Sequence, residues 1–286
     1  MGENFYLFSG GDGDPVLSRR HLFRGPAPAP GSPAPAPSLW ARDALGFQPD
    51  PRQAEILDCP SPRVLLCCSR QWGKSTVTAI RALHHAWFHP GSLIVCVAPI
   101  SRQSALFVQK VRHFLTTSLG VTPRRDPRAG RGDVPSLLLP NGSALLGLPA
   151  TEATTRGLSA VDFLILDEAA RIPDPAYHAV RPFLATTSGL LWLLSTPRGQ
   201  AGFFHDEWHD AAAGWTRLSV PATDCPRILP DFLERERRSL GEHVFAQEYL
   251  CRFLASRYQL VPRSLLDAAV TPAEQALDLT ALFPGE

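Results

Sequence analysis

From Trp40 onward the chain alternates short apolar runs with amphipathic stretches. Runs of β-branched and aliphatic residues cover 63–68, 93–99, 162–168 and 190–196, and helical patterns stand between several of them. Short apolar runs in this rhythm are typical of buried parallel strands joined by crossover helices. The pattern therefore predicts an α/β fold with a mainly parallel central sheet flanked by helices.

The clearest βαβ unit begins with the run RVLLCC at 63–68. Apolar residues then recur at helical spacing until a Pro-Gly pair ends the helix, and LIVCVAP at 93–99 supplies the next strand. Further along, Asn141 and Gly142 separate two apolar halves of the segment 136–148. An Asn-Gly pair in that setting predicts a β-hairpin.

Composition divides the chain into three parts. Residues 25–38 are almost wholly Pro, Ala, Gly and Ser, which predicts an extended tether rather than a packed element. Beyond Pro230 the pattern predicts two helical pieces. We therefore expect a flexible leader and linker over 1–39, one folded domain over 40–254 and a tail over 255–286.

Charge and composition exclude several classes of protein. The 286 residues carry 28 basic and 27 acidic side chains, so any binding to nucleic acid or membrane must come from a local patch. The longest apolar runs fall far short of the ~18 residues that a spanning helix needs, which excludes a transmembrane protein. The acidic residues Glu3, Asp12 and Asp14 stand where a secretory signal would be basic, and we expect a cytoplasmic protein. The six cysteines form no C-x-x-C pair, so neither a disulfide framework nor a zinc site is expected.

A phosphate-binding loop is predicted where CSRQWGKS, at 68–75, joins a strand to a helix. Backbone amides at the start of a helix, together with the helix dipole, stabilise a polyphosphate such as that of ATP. Lys74 would reach the β and γ phosphates, Ser75 would hold Mg²⁺ by its hydroxyl, and Gly73 would let the backbone pass close to the phosphate. Cys68 occupies the place of the motif's first glycine, so the match to the general pattern is incomplete.

An acidic pair ends the apolar strand FLILDE. Asp167 would bind the Mg²⁺ through water, while Glu168 would polarise the attacking water as a general base. An acidic pair in this place can also cap the helix that follows. The phosphate loop on another predicted strand of the same sheet favours the nucleotide site over the cap.

In this order, the motifs resemble the ATPase half of terminase large subunits, the motors that package DNA into viral capsids. The resemblance covers about residues 44–254 and rests on GFQPDPRQAEIL, SRQWGKST, FLILDEAARIPD, LLSTPRGQAGFF and FAQEYLCRF. It implies a P-loop NTPase fold of the RecA/ASCE type. It also implies nucleotide contacts from the following residues: Phe47 against the adenine, Gln53 at the edge of the base, Ser69, Gly73, Lys74, Ser75 and Thr76 in the loop, and Ser195 and Thr196 as sensors of the γ phosphate.

Two arginines are further catalytic candidates. Arg70 lies inside the loop and would neutralise charge that develops on the γ phosphoryl group of its own subunit. Arg156 matches a family position proposed to serve the ATP of a neighbouring subunit, which would require a homo-oligomeric ring and make an isolated monomer slow. In a chain so rich in arginine, either residue can instead be an ordinary surface charge.

The resemblance implies double-stranded DNA, the portal protein and the terminase small subunit as partners, with the protein encoded by a phage or prophage of a bacterial host. A packaging motor would grip DNA through phosphates, and the best local patch is the segment RRDPRAGR at 124–131. That segment can equally be a solvated loop. Only about thirty residues follow Phe253, too few for the nuclease domain of complete large terminases, so no nuclease activity is expected from this chain.

Three functions stay open on the sequence. The first is an ATP-driven DNA translocase module. The second is a prophage remnant that binds nucleotide without moving DNA, and the third is a helicase-like ATPase of another lineage that shares the loop and the acidic strand.

Overall fold

The computed structural model describes residues 34–129, 134–151 and 158–255, together with residue 269. In these ranges the strands are β1 (Arg63–Cys68), β2 (Leu93–Ala98), β3 (Ser136–Leu138), β4 (Ala144–Pro149), β5 (Phe163–Asp167), β6 (Leu190–Ser195) and β7 (Thr216–Val220). The α-helices are α1 (Pro37–Leu45), α2 (Pro51–Leu57), α3 (Lys74–Phe88), α4 (Ser101–His113), α5 (Asp174–Val180), α6 (Phe203–His209) and α7 (Pro230–Leu250).

All seven strands belong to one sheet, in the order β3-β4-β2-β5-β6-β1-β7. Every neighbouring pair is parallel except β3 with β4. The predicted α/β class with a mainly parallel sheet is confirmed. Because Cys67 pairs with Ser195 and Asp167 with Leu194, the carboxyl ends of β1, β6 and β5 lie side by side. Ligands of open α/β sheets bind at this edge.

Helices cover both faces of the sheet. Along β1, Val64, Leu66 and Cys68 belong to the apolar cluster on one face, whereas Leu65 and Cys67 belong to the cluster on the other. This alternation is the two-residue period of a strand. Buried residues of α1 to α4 complete the first cluster, and those of α5 and α6 complete the second. A strand covered on both faces is an uninterrupted apolar run in sequence, which explains why the central strands could be predicted.

The first helix begins inside the segment predicted to be a tether. Pro37 occupies the first turn of α1, where its fixed φ suits the helix and its missing N–H is not needed. The backbone N–H of Ser38 donates to Oδ1 of Asp58 at 2.8 Å, and Trp40 is buried in the core. These contacts order the last residues of a Pro/Ala-rich segment, so α1 begins three residues before the predicted start of the folded domain.

The predicted hairpin is present as the antiparallel pair of β3 and β4. Its connection is longer than a two-residue turn, since the N–H of Leu139 donates to the carbonyl of Ser143 at 2.8 Å. Gly142 adopts a φ of +83°, which favours glycine, and Nδ2 of Asn141 donates to the carbonyl of Ala86 at 2.8 Å. Asn141 thus anchors the turn to the end of α3 as well as shaping it.

The six cysteines are free thiols, and five of them are buried. Among the described residues, no helix has the length and apolar character to cross a membrane.

Candidate functional site

The loop between β1 and α3 has a backbone that demands glycine at its last position. Gly73 caps α3 with a φ of +104°, and Gln71 also lies in the left-handed region, with a φ of +61°. A Cβ atom on Gly73 would lie 3.3 Å from Nε2 of Gln53. Side chains rarely tolerate both the backbone angle and that approach. The loop therefore turns tightly into the helix, with the amides at the start of α3 at the carboxyl edge of the sheet.

Neighbouring elements hold this loop in place. Nε2 of Gln53 donates to the carbonyl of Trp72 at 3.4 Å, and a guanidinium N–H of Arg227 donates to the same carbonyl at 2.6 Å. The Trp72 side chain is completely buried, and the N–H of Ser69 donates to the carbonyl of Val220 at the end of β7 at 2.9 Å. The loop is thus fixed from three directions, as a rigid binding site requires.

The loop meets the acidic end of β5. Nζ of Lys74 lies 2.6 Å from Oε1 of Glu168, and Oγ of Ser75 donates to Oδ2 of Asp167 at 3.0 Å. Glu168 adopts a left-handed φ of +56°, which turns its side chain away from the line of the strand. The four residues predicted to share one site, two at the start of α3 and two at the end of β5, therefore lie together.

Burial and neighbouring charges shift the pKa values of Lys74 and Asp167 in opposite directions. Burial raises the pKa of Asp167, and the ammonium of Lys74 only partly opposes the rise. Burial would lower the pKa of Lys74, but the carboxylates of Glu168 and Asp167 outweigh it, so the pKa of Lys74 is raised. Lys74 is therefore a cation at neutral pH, and ionisation of Asp167 has a cost that a further cation would relieve.

Two residues that the sequence reasoning missed also reach the site. Arg171 lies one turn beyond Glu168, with its Nε 3.6 Å from Oε2 of that residue and its Nη2 3.8 Å from Oε1 of Glu248. Glu248, near the end of α7, pairs with the guanidinium of Arg70, and its carbonyl accepts from the N–H of Arg70 at 3.1 Å. The hydrogen bond that Arg70 donates to the carboxylate of Glu248 raises the pKa of Arg70. The i, i+3 spacing of Glu168 and Arg171 was a signal for this contact in the sequence.

These groups surround a cavity of about 470 Å³. Its lining residues are Ser69, Arg70, Gln71, Gly73, Lys74, Ser75, Gln103, Lys110, Glu168, Arg171 and Thr196. Four of them are cations and one is a carboxylate. Such a cavity beside helix-start amides suits an anionic ligand.

The remaining predicted nucleotide contacts lie at different distances from this cavity. Thr196 lines it, and Ser195 is buried beside it with a hydroxyl that has no hydrogen-bond partner among the described residues. Oγ1 of Thr76 accepts from Nζ of Lys110 at 3.1 Å. Gln53 borders the loop, with its Oε1 already accepting from the N–H of Asp50 at 3.1 Å.

Phe47 is not among the residues that line the cavity. The half-buried ring of Phe47 packs edge-on against Phe114, with 6.5 Å between the ring centroids. Arg156 lies outside the described residues. The adenine contact predicted for Phe47 and the neighbouring-subunit role predicted for Arg156 therefore stay predictions.

The donor set suits Mg²⁺ rather than a metal held by the protein alone. The Ser75 hydroxyl and the Asp167 carboxylate are oxygen ligands 3.0 Å apart. In the described part of the chain, no group of three or more His, Cys, Asp or Glu side chains is arranged to hold a metal ion. Mg²⁺ commonly uses one or two protein oxygens and completes its shell with water and substrate phosphates.

One arginine of the predicted DNA patch pairs with the acid inside the same segment. Asp126 is buried and accepts a two-pronged hydrogen bond from Arg128, with Nη2 at 2.8 Å from Oδ2 and Nε at 3.1 Å from Oδ1. Arg124 and Arg125 are exposed beside it, and Arg131 falls outside the described residues. Arg128 thus contributes less net charge than the sequence suggests.

Comparison with known proteins gives a consistent family. Residues 65–267 match the family model described as terminase large subunit, T4likevirus-type, N-terminal. The terminase large subunit of Thermus virus P23-45 is 27% identical over 205 residues, which are 66% of this chain and 42% of that protein. The chain thus spans less than half the length of this relative.

Solved structures share the fold. The large terminase ATPase domain of Thermus phage P74-26 superposes with a TM-score of 0.64 at 23% identity, covering 77% of this chain and all of that one. The large terminase of another thermophilic bacteriophage, in complex with ADP, gives a TM-score of 0.59 at 15% identity, covering 71% of this chain and 53% of that one.

Proposed function

We propose that this chain, which belongs to the T4likevirus-type family of terminase large subunits, hydrolyses ATP to drive double-stranded DNA into a viral capsid. The observation that carries the proposal is the approach of the loop to the acidic strand. Lys74 and Ser75 lie within 3.0 Å of Glu168 and Asp167, at the mouth of a cavity rich in cations. Phosphoryl transfer needs positioning and charge neutralisation above all, and these residues supply both.

The phosphates of ATP would lie against the amides at the start of α3. Lys74 would turn from Glu168 to the β and γ phosphates, because a polyphosphate carries more negative charge than one carboxylate. Ser75 and Asp167 would hold Mg²⁺, which when bound neutralises charge on the phosphate oxygens. The thermophilic phage terminase in complex with ADP supports a nucleotide as the ligand of this fold.

Hydrolysis requires a base for the attacking water. Once Lys74 has turned to the phosphates, the Glu168 carboxylate is free to take a proton as the water oxygen bonds to the γ phosphorus. The bond from that phosphorus to the β–γ bridging oxygen breaks, leaving ADP and inorganic phosphate. Arg70 would neutralise the charge that develops on the γ phosphoryl oxygens, which requires it to leave Glu248.

The nucleoside would extend to the α2 side of the loop. Gln53 stands there, although its side chain already bonds to Asp50 and Trp72, so its contact with adenine would use the remaining N–H of its amide. Phe47 would have to leave its packing on Phe114 to lie against the base. Ser195 and Thr196, at the end of β6, would detect the γ phosphate.

Packaging would also need partners that engage the whole enzyme. DNA would be gripped through its phosphates at the patch of Arg124 and Arg125, with the portal protein and the terminase small subunit completing the machine. Arg156 would complete the ATP site of a neighbouring copy in a homo-oligomeric ring. As a phage or prophage product, the protein would act in the cytoplasm of its bacterial host.

ATP turnover tests the proposal directly. We expect turnover with Mg²⁺ that increases with double-stranded DNA, and its loss in Lys74→Ala. Arg238→Ala removes an exposed charge on α7 that does not line the cavity, so it serves as the matched control and should retain wild-type turnover. Wild type indistinguishable from Lys74→Ala, with and without DNA, portal and small subunit, would refute the proposal.

Two other results would instead support one of the alternative functions. Tight binding of Mg-ATP without hydrolysis under all these conditions would identify a nucleotide-binding remnant. Strand separation of a forked duplex would identify a helicase-like ATPase, because a packaging motor translocates duplex DNA without opening it.

A further inference from the structure

Lysine is rare in this chain, and both lysines face the same cavity. Only Lys74 and Lys110 are lysines among the 28 lysine and arginine residues. Lys74 belongs to the phosphate loop, whereas Lys110 projects from α4, an element outside the loop. Both side chains line the cavity of about 470 Å³.

In the described part of the chain, the ammonium of Lys110 makes one hydrogen bond, and its acceptor is neutral. Its Nζ donates to Oγ1 of Thr76, on the first turn of α3, at 3.1 Å. The side chain is half-buried, and among the described residues no carboxylate oxygen lies within the 4.0 Å of an ion pair. The hydrogen bond aims the ammonium at the loop without neutralising it.

The other three cations of the cavity are paired with carboxylates. Lys74 pairs with Glu168, Arg70 pairs with Glu248, and Arg171 lies within 3.8 Å of both acids. Burial lowers the pKa of Lys110, and attraction to Asp167 only partly offsets it while Lys74 adds repulsion. A half-buried cation without a partner is stabilised when an anion enters.

The sheet order decides which part of a nucleotide Lys110 would meet. α4 follows β2, which pairs with β5, the strand that carries Asp167 and Glu168. Gln53, the predicted contact of the base, approaches the loop from α2, and its neighbour Arg52 reaches the carbonyl of Ser219 on β7, at the opposite end of the strand order. A nucleotide lying across the loop therefore has its terminal phosphate on the side of α4.

We propose that Lys110 binds the terminal phosphate of the nucleotide and makes the site prefer a triphosphate to a diphosphate. The inference rests on the proposed ATP site and adds a residue from α4 to it. The α4 helix would thereby sense whether the γ phosphate is present. Lys110 would keep its hydrogen bond to Thr76 or exchange it for a phosphate oxygen, in either case without a covalent step.

Calorimetry of the full chain with Mg²⁺ and either ATPγS or ADP tests this role. In Lys110→Met, ATPγS should bind about tenfold more weakly, as for the loss of one charge-assisted hydrogen bond, while ADP affinity changes less than about twofold. Lys110→Gln keeps an N–H donor for Thr76 but has no charge, and it should show the same selective loss. Arg102→Met removes an exposed cation from the same helix and should leave both affinities unchanged.

The outcomes separate this inference from the proposed function. Wild-type affinities in both Lys110 variants, or an equal loss for ATPγS and ADP, would overturn the inference and leave the ATP site standing. Wild-type affinity for ATPγS in Lys110→Gln, together with a loss in Lys110→Met, would show that the lysine only holds Thr76. This result would also overturn the inference. Failure of the wild-type chain to bind either nucleotide would instead overturn the proposed function, and the inference with it.

Discussion

The carboxylate of Glu168 faces two cations that hold it in this structure. Its Oε1 lies 2.6 Å from Nζ of Lys74, and its Oε2 lies 3.6 Å from Nε of Arg171. While Lys74 occupies Oε1, that oxygen is not available to accept a proton from an attacking water. A bound triphosphate would draw Lys74 away and free this oxygen for the water. Glu168 is therefore ion-paired in this structure and would act as the proposed general base once a triphosphate is bound.

Glu168→Gln should separate binding from turnover. The amide keeps the size of the side chain and one acceptor oxygen but takes up no proton, so turnover should fall by at least ~10²-fold while nucleotide affinity is kept. Calorimetry and a phosphate-release assay measure the two quantities. Glu234→Gln, an exposed acid on α7, is the control. A comparable loss of affinity would show that the general base is another acid.

Asp167 makes stability depend on pH in a specific direction. Burial raises its pKa above 3.8 in the folded protein, so its contribution to stability is present below pH 3.8 and is lost as the pH rises through the folded value. At neutral pH the ionised carboxylate therefore destabilises the fold. Asn at this position would remove that cost and still accept a hydrogen bond from Ser75.

Asp167→Asn should therefore melt at a higher temperature than wild type at pH 7 to 8 without Mg-nucleotide. The difference should shrink as the pH is lowered towards 4, and turnover should fall by ~10²-fold or more through weakened metal binding. Asp206→Asn, at an exposed position of α6, should show neither effect. A lower melting temperature for Asp167→Asn at neutral pH would mean that Lys74 stabilises the carboxylate more than burial destabilises it.

At the scale of residues, the sequence predicts the side chains of the site that belong to short local motifs. Lys74 and Ser75 belong to a short loop pattern, and Asp167 and Glu168 end an apolar strand, so both pairs are visible without a fold. The contribution of Glu248 could not be predicted from a local motif, because its contact with Arg70 joins residues 178 positions apart. Only the return of α7 to the edge of the sheet brings them together.

Among the elements, α4 depends on one glycine of β4 for its place against the sheet. A Cβ atom on Gly147 would lie 2.8 Å from the carbonyl oxygen of Ser104 and 2.9 Å from Cγ2 of Val108. The first of these is backbone and cannot rotate aside. Since α4 carries Gln103 and Lys110 into the cavity, this contact sets the position of one wall of the site.

Gly147→Ala should move α4 and cost about 2–3 kcal/mol of unfolding free energy, the upper part of the usual cost of overpacking a core, because the clash is with backbone. Chemical denaturation measures the loss. Gly199→Ala is the matched control, because no heavy atom lies within 4 Å of the added methyl and only its φ of +71° resists the change, at about 1 kcal/mol. An equal loss in both variants would show that α4 is not held by this contact.

Elements are predictable where one physical signal dominates. The central strands show as apolar runs, and the predicted pair of helices after Pro230 forms α7 with a break at Gly241, where φ is +75°. The start of α1 was missed, because Pro, Ala and Ser resemble a linker until Trp40 finds its buried site. Tertiary packing of one large side chain decides that boundary, and no local pattern reports it.

For the molecule as a whole, every proposed site residue except Arg156 lies within the described part of this chain. A site that also requires an arginine from the next subunit hydrolyses ATP only in a closed ring. Each active centre then combines the loop of one copy with Arg156 of its neighbour. An active centre shared between subunits can be tested by mixing two inactive variants, one altered in the loop and one altered at Arg156.

Lys74→Ala and Arg156→Ala should each lose turnover alone and recover part of it when mixed. In a randomly mixed ring, about a quarter of the centres join an intact loop to an intact Arg156, so about a quarter of wild-type turnover per subunit should return. The assay uses double-stranded DNA and protein concentrations at which wild-type turnover per subunit has reached its plateau. A mixture of Lys74→Ala with Glu168→Gln should not recover, because both lesions fall in the centre of the same subunit. If the Arg156→Ala mixture also stays inactive, the arginine serves its own subunit's ATP or lies outside the chemistry, and the requirement for a ring falls.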